Sequence, residues 1–541
     1  MTIGIDPFGI PPFGVGGGEA GAESAPFDPS TLLNRDIVYL VEAFPWDPVE
    51  EAIIRVGFSD PAQQNRKCIF SGFLFPAKLV NTLSVKYRLF QRNLPTEQTE
   101  ASSLGTITLG WGDGEHDNLT DYYWDGRAIN IYIGEPHYEF EQFQRVYTGF
   151  VKDVNWNEQF IEFEVEDQLD RLAVPIQENT YAGDGVGESY DANPQLTGTL
   201  KPLTWGAARN VELVLINDGF DVYQFNDGPA EAVDAIYDKG NELVKANSGA
   251  NDITDLAIAD VFDWTPVGGQ YITDLARGIV RLGAPPIGAV TGDVKGSNDG
   301  GYSQLAGELF VRLLTRAGIS SALIDTVSAD TLDTNFPYVI GFYTSTNTVT
   351  YRDLIDQIVH SVFGYWRVDR EGIISVARFE FATPALTVHE GDVLAIQRED
   401  THYPIWKLVL NYNRAWMVQD RDGLADGVIP PHRDAVSKEY QKVEQENASI
   451  RTAHLKATLY EMFSLLTESA DAQDEATSRM ALLDELRHFY KVTVKNNSWI
   501  VVPGITININ WPRWNVSTRD FIVVGVDENV ASGNTTLLIW G

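Results

Sequence analysis

Cysteine is almost absent from this chain of 541 residues, in which Cys68 stands alone. An internal disulfide is therefore impossible, and neither a thiolate zinc site nor an iron–sulfur cluster can be completed within one chain. Positive charge is scarce as well. The 40 Lys and Arg face 76 Asp and Glu, for a net charge of −36, and a surface of that sign repels nucleic acid and anionic lipid. Apolar runs of the ~18 residues that a membrane helix needs are missing. So is a secretory leader, because MTIGIDPFGIPPFGVGGGEAGAESAPFDPSTLLN has no basic residue before Arg35 and no apolar block. The expectation is a protein made and kept soluble, with no export signal of its own.

What the chain does have is apolar content, 44% hydrophobic and 11% aromatic, enough for roughly three or four packed cores at about 100 to 200 residues per domain. Residues 1–34 are rich in Gly and Pro with Phe8, Phe13 and Phe27 among them. Such a composition builds no core, and reads either as an arm lying extended on another surface or as a disordered tail.

Residues 35–182 read as strand after strand: DIVYLVEAF, AIIRVGFS, LGTITLGW, RAINIYIG, RVYTGFVKDVNW and QFIEFEVEDQ, separated by Gly, Asp, Asn and Pro. In QFIEFEVED, Phe160, Glu162, Glu164 and Glu166 alternate with Ile161, Phe163 and Val165, which predicts one wet face and one buried face of an antiparallel barrel or sandwich. Residues 183–302 are heavier in Gly, Asn and Asp and predict an irregular, β-containing connection. In residues 303–385 the period changes. QLAGELFVRLLTRAG and TYRDLIDQIVHSVFG each carry an apolar helical stripe ended by Gly, and a hairpin follows, YWRV–DREG–IISVARFE, making a small α/β unit. Residues 386–541 return to strands around a helical interlude begun by Ser469, and finish on the meander ITININW, RDFIVVGVDEN and TTLLIWG.

Several stretches imitate functional sites. YQFNDGPAEAVDAIYDKGNEL places Asp227, Glu231, Asp234 and Asp238 close together, as acid/base chemistry or a hard cation would use them. Yet NDGP and DKGN are turn signals around an imperfect strand in which Asp234, Ile236 and Asp238 share a side while Asp227 and Glu231 belong to the turn. DGEHDNLTD resembles a calcium loop, but Asn118 stands where the glycine belongs and Trp124 where the closing glutamate belongs. YAGDGVGES has close glycines without a following helix to hold a phosphate. The histidines are scattered at 116, 137, 360, 389, 402, 432, 454 and 488. His360 lies near an apolar stripe, where packing is the plain explanation, and the HEGD at His389 reads as a strand-end turn. No metalloprotease, nucleophile-elbow or P-loop motif occurs. The expected catalytic, cofactor-binding and metal residues are none, and the expected cofactor is none.

The ordered set WDGRAINIYIG, YTGFVKDVNW, FEVEDQLDRLAVPIQENTYAG, LKPLTWG, YQFNDGPAEAVDAIYDKGNEL, GYWRVDREGIISVARF, VPGITININWPRW, FIVVGVDEN and TLLIWG resembles the tail-hub (baseplate hub) proteins of long-tailed bacteriophages, of the siphovirus-like kind, and of gene transfer agents. The likeness runs from about Tyr39 onward and lies in the order of the motifs, not in any one of them. It implies a mainly β fold with α/β parts: two tail-tube-like β-barrels or sandwiches, at 35–182 and 386–541, with smaller modules between. It further implies a non-enzymatic virion protein at the distal end of the tail, made in the host cytoplasm. There a homotrimer would join the distal tail protein to a central fibre or spike, meet other tail-tip proteins, and gate the route of the tape-measure protein and the genome. Genomic DNA would pass through the lumen without specific binding. The chain's end at Gly541 suggests a separate fibre chain. Two other readings stay open on the 13 Trp and 22 Tyr: a carbohydrate-binding adhesin, and a cell-wall polysaccharide hydrolase with facing carboxylates.

Overall fold

The alternation in Phe160–Glu166 is used as the sequence predicts. The computed structural model describes residues 38–60, 69–81, 84–90, 103–110, 112, 114, 117–135, 138–166, 168–246, 252–495, 501–514, 516, 517, 519–529 and 534–541. In it Ile161, Phe163 and Val165 are buried and the residues between them reach solvent. The Gly/Pro-rich segment 1–34, Cys68, His116 and His137 lie outside the described residues. Phe160–Glu166 belongs to a seven-stranded antiparallel sheet in the order Val56–Ser59, Val38–Ala43, Ala128–Gly134, Gln144–Trp156, Phe160–Glu166, Thr106–Gly110, Leu79–Asn81. Val41, Ile107, Leu109, Ile129, Ile131 and Val151 join Ile161 and Phe163 in its core.

The middle of the chain is more regular than its composition suggests. Two five-stranded sheets stand there. One runs Asn241–Glu242, Ala230–Asp238, Val290–Ser297, Leu203–Glu212, Gly341–Thr344, and the other Val214–Asn217, Val222–Gln224, Ile279–Leu282, Gln270–Asp274, Val244–Lys245. Bulges hide the period-two pattern. The register of Ala230–Asp238 against Val290–Ser297 slips between Val233 and Ala235, and that of Leu203–Glu212 slips between Ala208 and Val211. Gly206 is needed where it stands: its φ is +64°, and a Cβ there would lie 2.0 Å from the carbonyl oxygen of Ile340.

The two expected helices are present as Ala306–Arg316 and Tyr351–Ser361, and the hairpin as Gly364–Val368 with Ile374–Arg378. Tyr351–Ser361 starts on a capping box. Thr350 Oγ1 accepts from the Asp353 amide at 3.1 Å, and Asp353 Oδ2 accepts from the Thr350 amide at 3.0 Å. A further helix, Thr326–Asn335, escapes a pattern search because it buries only Ala329 and Leu332.

The C-terminal sheet runs Leu386–His389, Thr506–Asn510, Asp520–Asn529, Asn534–Trp540, Arg487–Lys495, Val393–His402. The start of Asp520–Asn529 pairs with Thr506–Asn510, and its second half pairs with Ser84–Arg88, brought from the other end of the chain (Gly525↔Arg88, Val526↔Tyr87). Beside this sheet, Gln441–Glu446, Ile405–Tyr412 and Thr458–Phe463 form a three-stranded sheet backed by the helix Ser469–Leu483. The fold is mainly β with smaller helical parts, and among the described residues no helix is long and apolar enough to cross a membrane.

Candidate functional site

The acidic stretch is the natural first candidate, and its local structure follows from two turns. Asn226, fully buried, accepts from the Thr204 amide at 2.9 Å and donates to the carbonyls of Gly228 and Pro229 at 3.1 Å each, so one amide side chain fixes the NDGP turn. Lys239 and Gly240, at φ +53° and +79°, make the two-residue turn joining Ala230–Asp238 to Asn241–Glu242. Between them the bulge at Asp234 breaks the expected alternation: Ile236 is buried with Ala235 and Tyr237, and does not share a side with the exposed Asp234.

The four carboxylates therefore go to four places. Asp227 accepts from Asn179 Nδ2 at 2.7 Å and Gln177 Nε2 at 3.2 Å. Glu231 accepts from Asn298 Nδ2 at 2.8 Å. Asp234 meets Arg209 at 3.2 Å and Lys295 at 3.9 Å. Asp238 accepts from the amides of Ile287 and Gly288, at 2.9 Å from each. Each acid ties a turn or a strand to a neighbour. Among the described residues no group of three or more His, Cys, Asp or Glu is placed to hold a metal ion.

The other imitations resolve in the same way. In the calcium-like stretch, Asp117–Asp121 is a 3-10 turn; Asn118 Nδ2 donates to the Tyr122 hydroxyl at 2.9 Å, and buried Trp124 donates to the Leu119 carbonyl at 2.9 Å. Asp113 lies outside the described residues. In YAGDGVGES the amides of Ala182 and Gly183 donate to Asp191, and Asn217 donates to the carbonyls of Gly187 and Ser189. His389 caps the exposed turn Glu390–Asp392. His432 stacks on Tyr237 with ring centroids 4.3 Å apart. Burial pushes the His360 pKa down to about 3, helped by the Arg479 charge, so its ring is neutral.

Two ionic clusters that no sequence motif announces hold the parts of the molecule together. At the first, Arg370 in the hairpin turn forms a bidentate pair with Glu528 of Asp520–Asn529 and donates to the Val501 carbonyl at 3.3 Å. Its own carbonyl accepts from the Thr148 amide of the N-terminal sheet at 3.0 Å. Burial pushes the Glu528 carboxyl up against the pull of Arg370. On the next residue, Asp527 pairs with Arg88 of the donated strand at 2.6 Å. One turn thus touches both large sheets.

At the second, fully buried Glu475 of Ser469–Leu483 accepts from Arg378 Nη1 at 2.6 Å and from Arg479 Nε at 2.8 Å. Arg378 also donates to the Val362 carbonyl, and Arg479 to the His360 carbonyl, each at 2.8 Å. These carbonyls belong to the end of Tyr351–Ser361, where free acceptors and the negative end of the helix dipole favour cations. The chemistry available in both clusters is mechanical coupling.

No family model matches the chain, and no curated protein does. Among solved structures it is similar to the 43 kDa tail protein of prophage MuSo2 from Shewanella oneidensis, at 9% identity and a TM-score of 0.37, covering 93% of this chain and 98% of that one. It is similar to the tail protein from Neisseria meningitidis MC58 at 8% identity and a TM-score of 0.39, covering 93% and 96%. A chain of the native gene transfer agent virion gives 12% identity and a TM-score of 0.41, covering 64% and 84%. These are tail and virion proteins.

Proposed function

We propose that the chain is a structural protein of a phage-type tail and forms the hub of its tip. The observation that carries this reading is the junction. The part of the chain that builds the seven-stranded sheet also gives the strand Ser84–Arg88 to the C-terminal sheet, and the Arg370 turn binds both sheets. Two large β bodies held in one fixed relation are what a threefold component needs to present six similar surfaces to a sixfold tube. The order of the sequence motifs supports the same reading, and the separate engagement of Asp227, Glu231, Asp234 and Asp238 favours scaffold over hydrolysis.

In this role a homotrimer joins the distal tail protein to a central fibre or spike and encloses the path of the tape-measure protein and the genome. A net charge of −36 per chain suits a wall along which DNA slides without being held. Gold-labelled antibody against the chain, applied to intact particles, tests the placement. Label at the distal tail end is the expected result, and label on the capsid or along the whole tube would overturn it.

A further inference from the structure

Three loops meet at one end of the two middle sheets and hold apolar side chains out to solvent. Val244 lies in 239–245, Val267 in 264–269 and Ile287 in 283–288, and they are 63%, 69% and 85% exposed. Their backbones adjoin. The Val244 amide donates to the Gly269 carbonyl at 3.0 Å, and the Gly283 amide to the Gln270 carbonyl at 2.9 Å. A Cβ on Gly283 would lie 2.2 Å from the Val267 carbonyl oxygen, and one on Gly288 would lie 3.0 Å from the Lys239 side chain. Val244, Val267 and Ile287 therefore share one tip with the exposed Ala284 and Pro285.

The tip is held firmly and has few free donors. Pro266, Pro285 and Pro286 carry no N–H. The amides of Ile287 and Gly288 donate to Asp238, at 2.9 Å from each, and the Gln270 amide donates to the Val267 carbonyl at 2.9 Å. Buried Arg281 fastens the base of 264–269, donating to the carbonyls of Val261 at 2.7 Å and Trp264 at 3.1 Å and to Thr265 Oγ1 at 2.9 Å. Charge is sparse here. The loops 264–269 and 283–288 contain no charged residue, and 239–245 carries Lys239, Glu242 and Lys245. Asp263, before Trp264, accepts from the Asp260 amide at 2.9 Å. Exposed Asp426 stands on the adjoining loop, where the Ala425 amide donates to the Lys239 carbonyl at 3.0 Å.

We propose that this tip inserts into the surface of an uncharged lipid bilayer. The apolar side chains are Val, Ile and Pro, each projecting from its own loop, and not the Trp, Tyr and Arg in which protein interfaces concentrate their energy. The backbone donors named above are bonded within the tip, and proline replaces others, as a hydrocarbon environment demands. Trp264, 37% exposed beside Val267, has the amphipathic ring that sits at headgroup depth. The net charge of −36 opposes anionic lipid, so the attraction is to neutral headgroups and scales with the apolar area inserted. This inference does not depend on the tail reading, and either can fail while the other stands.

The test is flotation of the purified full chain with phosphatidylcholine vesicles and with vesicles enriched in phosphatidylglycerol. The wild type should float with phosphatidylcholine at low and high salt alike, and no better with phosphatidylglycerol. Val267→Ser/Ile287→Ser should weaken binding by about tenfold or more, and Val267→Leu/Ile287→Leu should retain it. Leu455→Ser, a change at an exposed aliphatic outside the three loops, should have no effect. Circular dichroism should match the wild type in every variant, since the altered side chains are exposed. A wild type that stays unbound to phosphatidylcholine, binding that needs anionic lipid, or binding that Leu455→Ser weakens as much as the paired serines would overturn the proposal. Vesicle binding unchanged by the paired serines, together with their loss of capture by another purified tail protein, would also overturn it and give the tip to a protein partner.

Discussion

Replacing Glu475 by Gln should loosen the molecule at a defined place. Glu475 and Arg479 are fully buried and Arg378 nearly so. A neutral amide at 475 keeps the shape and one acceptor, but among the described residues it leaves Arg479 with no ion-pair partner and Arg378 with only the exposed Glu380 at 3.9 Å. Breaking a buried pair in this way costs about 3–5 kcal/mol. The loss falls on the joint between Tyr351–Ser361 and Ser469–Leu483, because both arginines also bind carbonyls at the end of the first helix. A chain with several cores does not unfold in two states, so the assay is amide hydrogen exchange read by peptide. Protection in those two helices should drop by roughly two to four orders of magnitude, since each 1.4 kcal/mol is about tenfold. The N-terminal sheet should be little affected. Replacing Arg378, Glu475 and Arg479 together by Met, Leu and Met should cost far less than Glu475→Gln alone, since the desolvation of three charges is then avoided. A Glu475→Gln protein exchanging within threefold of the wild type in both helices would refute the argument.

Three further outcomes follow from the same physics. His402 is buried against Trp540, and burial with the Arg487 charge pushes its pKa down to about 4. Its contribution to stability is thus fully present above about pH 6.5 and is lost as pH falls towards 4, by up to roughly 3 kcal/mol. His402→Phe should therefore gain melting temperature relative to the wild type as pH falls from 7 to 4.5; a difference independent of pH would contradict this. Asp356 has the opposite sign: burial raises its pKa to about 6, so its protonated form favours the fold at low pH and that contribution fades as pH rises through 6. Asp356→Asn should reduce this component in the same titration. Gly206→Ala, with its Cβ against the Ile340 carbonyl, should cost about 3 kcal/mol or more, whereas Gly228→Ala, at φ +99° in open space, should cost only about 1 kcal/mol, as amide hydrogen exchange of the peptides around each position would show.

How much was legible in the sequence depended on whether the information was local. Phe160–Glu166, the capped helix Tyr351–Ser361 and the hairpin around Asp369–Gly372 carry their own period or turn chemistry, and all form as read. The central sheets did not show themselves because bulges at Val233/Ala235 and Ala208/Val211 cancel the alternation that marks a strand. The bulge at Asp234 also undid the expected pairing of sides in the acidic stretch. Asn226 was visible as a turn residue, but not as the buried amide that fixes the turn. Glu475, Arg378 and Arg479 meet through a fold that spans about a hundred residues, and Ser84–Arg88 finds Asp520–Asn529 from the far end of the chain. Such long-range partners leave no periodic trace in either segment.

The central claim is that this chain forms a threefold hub at the end of a tail, and counting copies there tests it most directly. Electron cryomicroscopy of intact tails, reconstructed at the tip without imposed symmetry, should show three copies of this chain arranged around the axis, each presenting two β bodies to the sixfold tube above. Six or twelve copies at that level, or tip density into which the chain does not fit, would contradict the account.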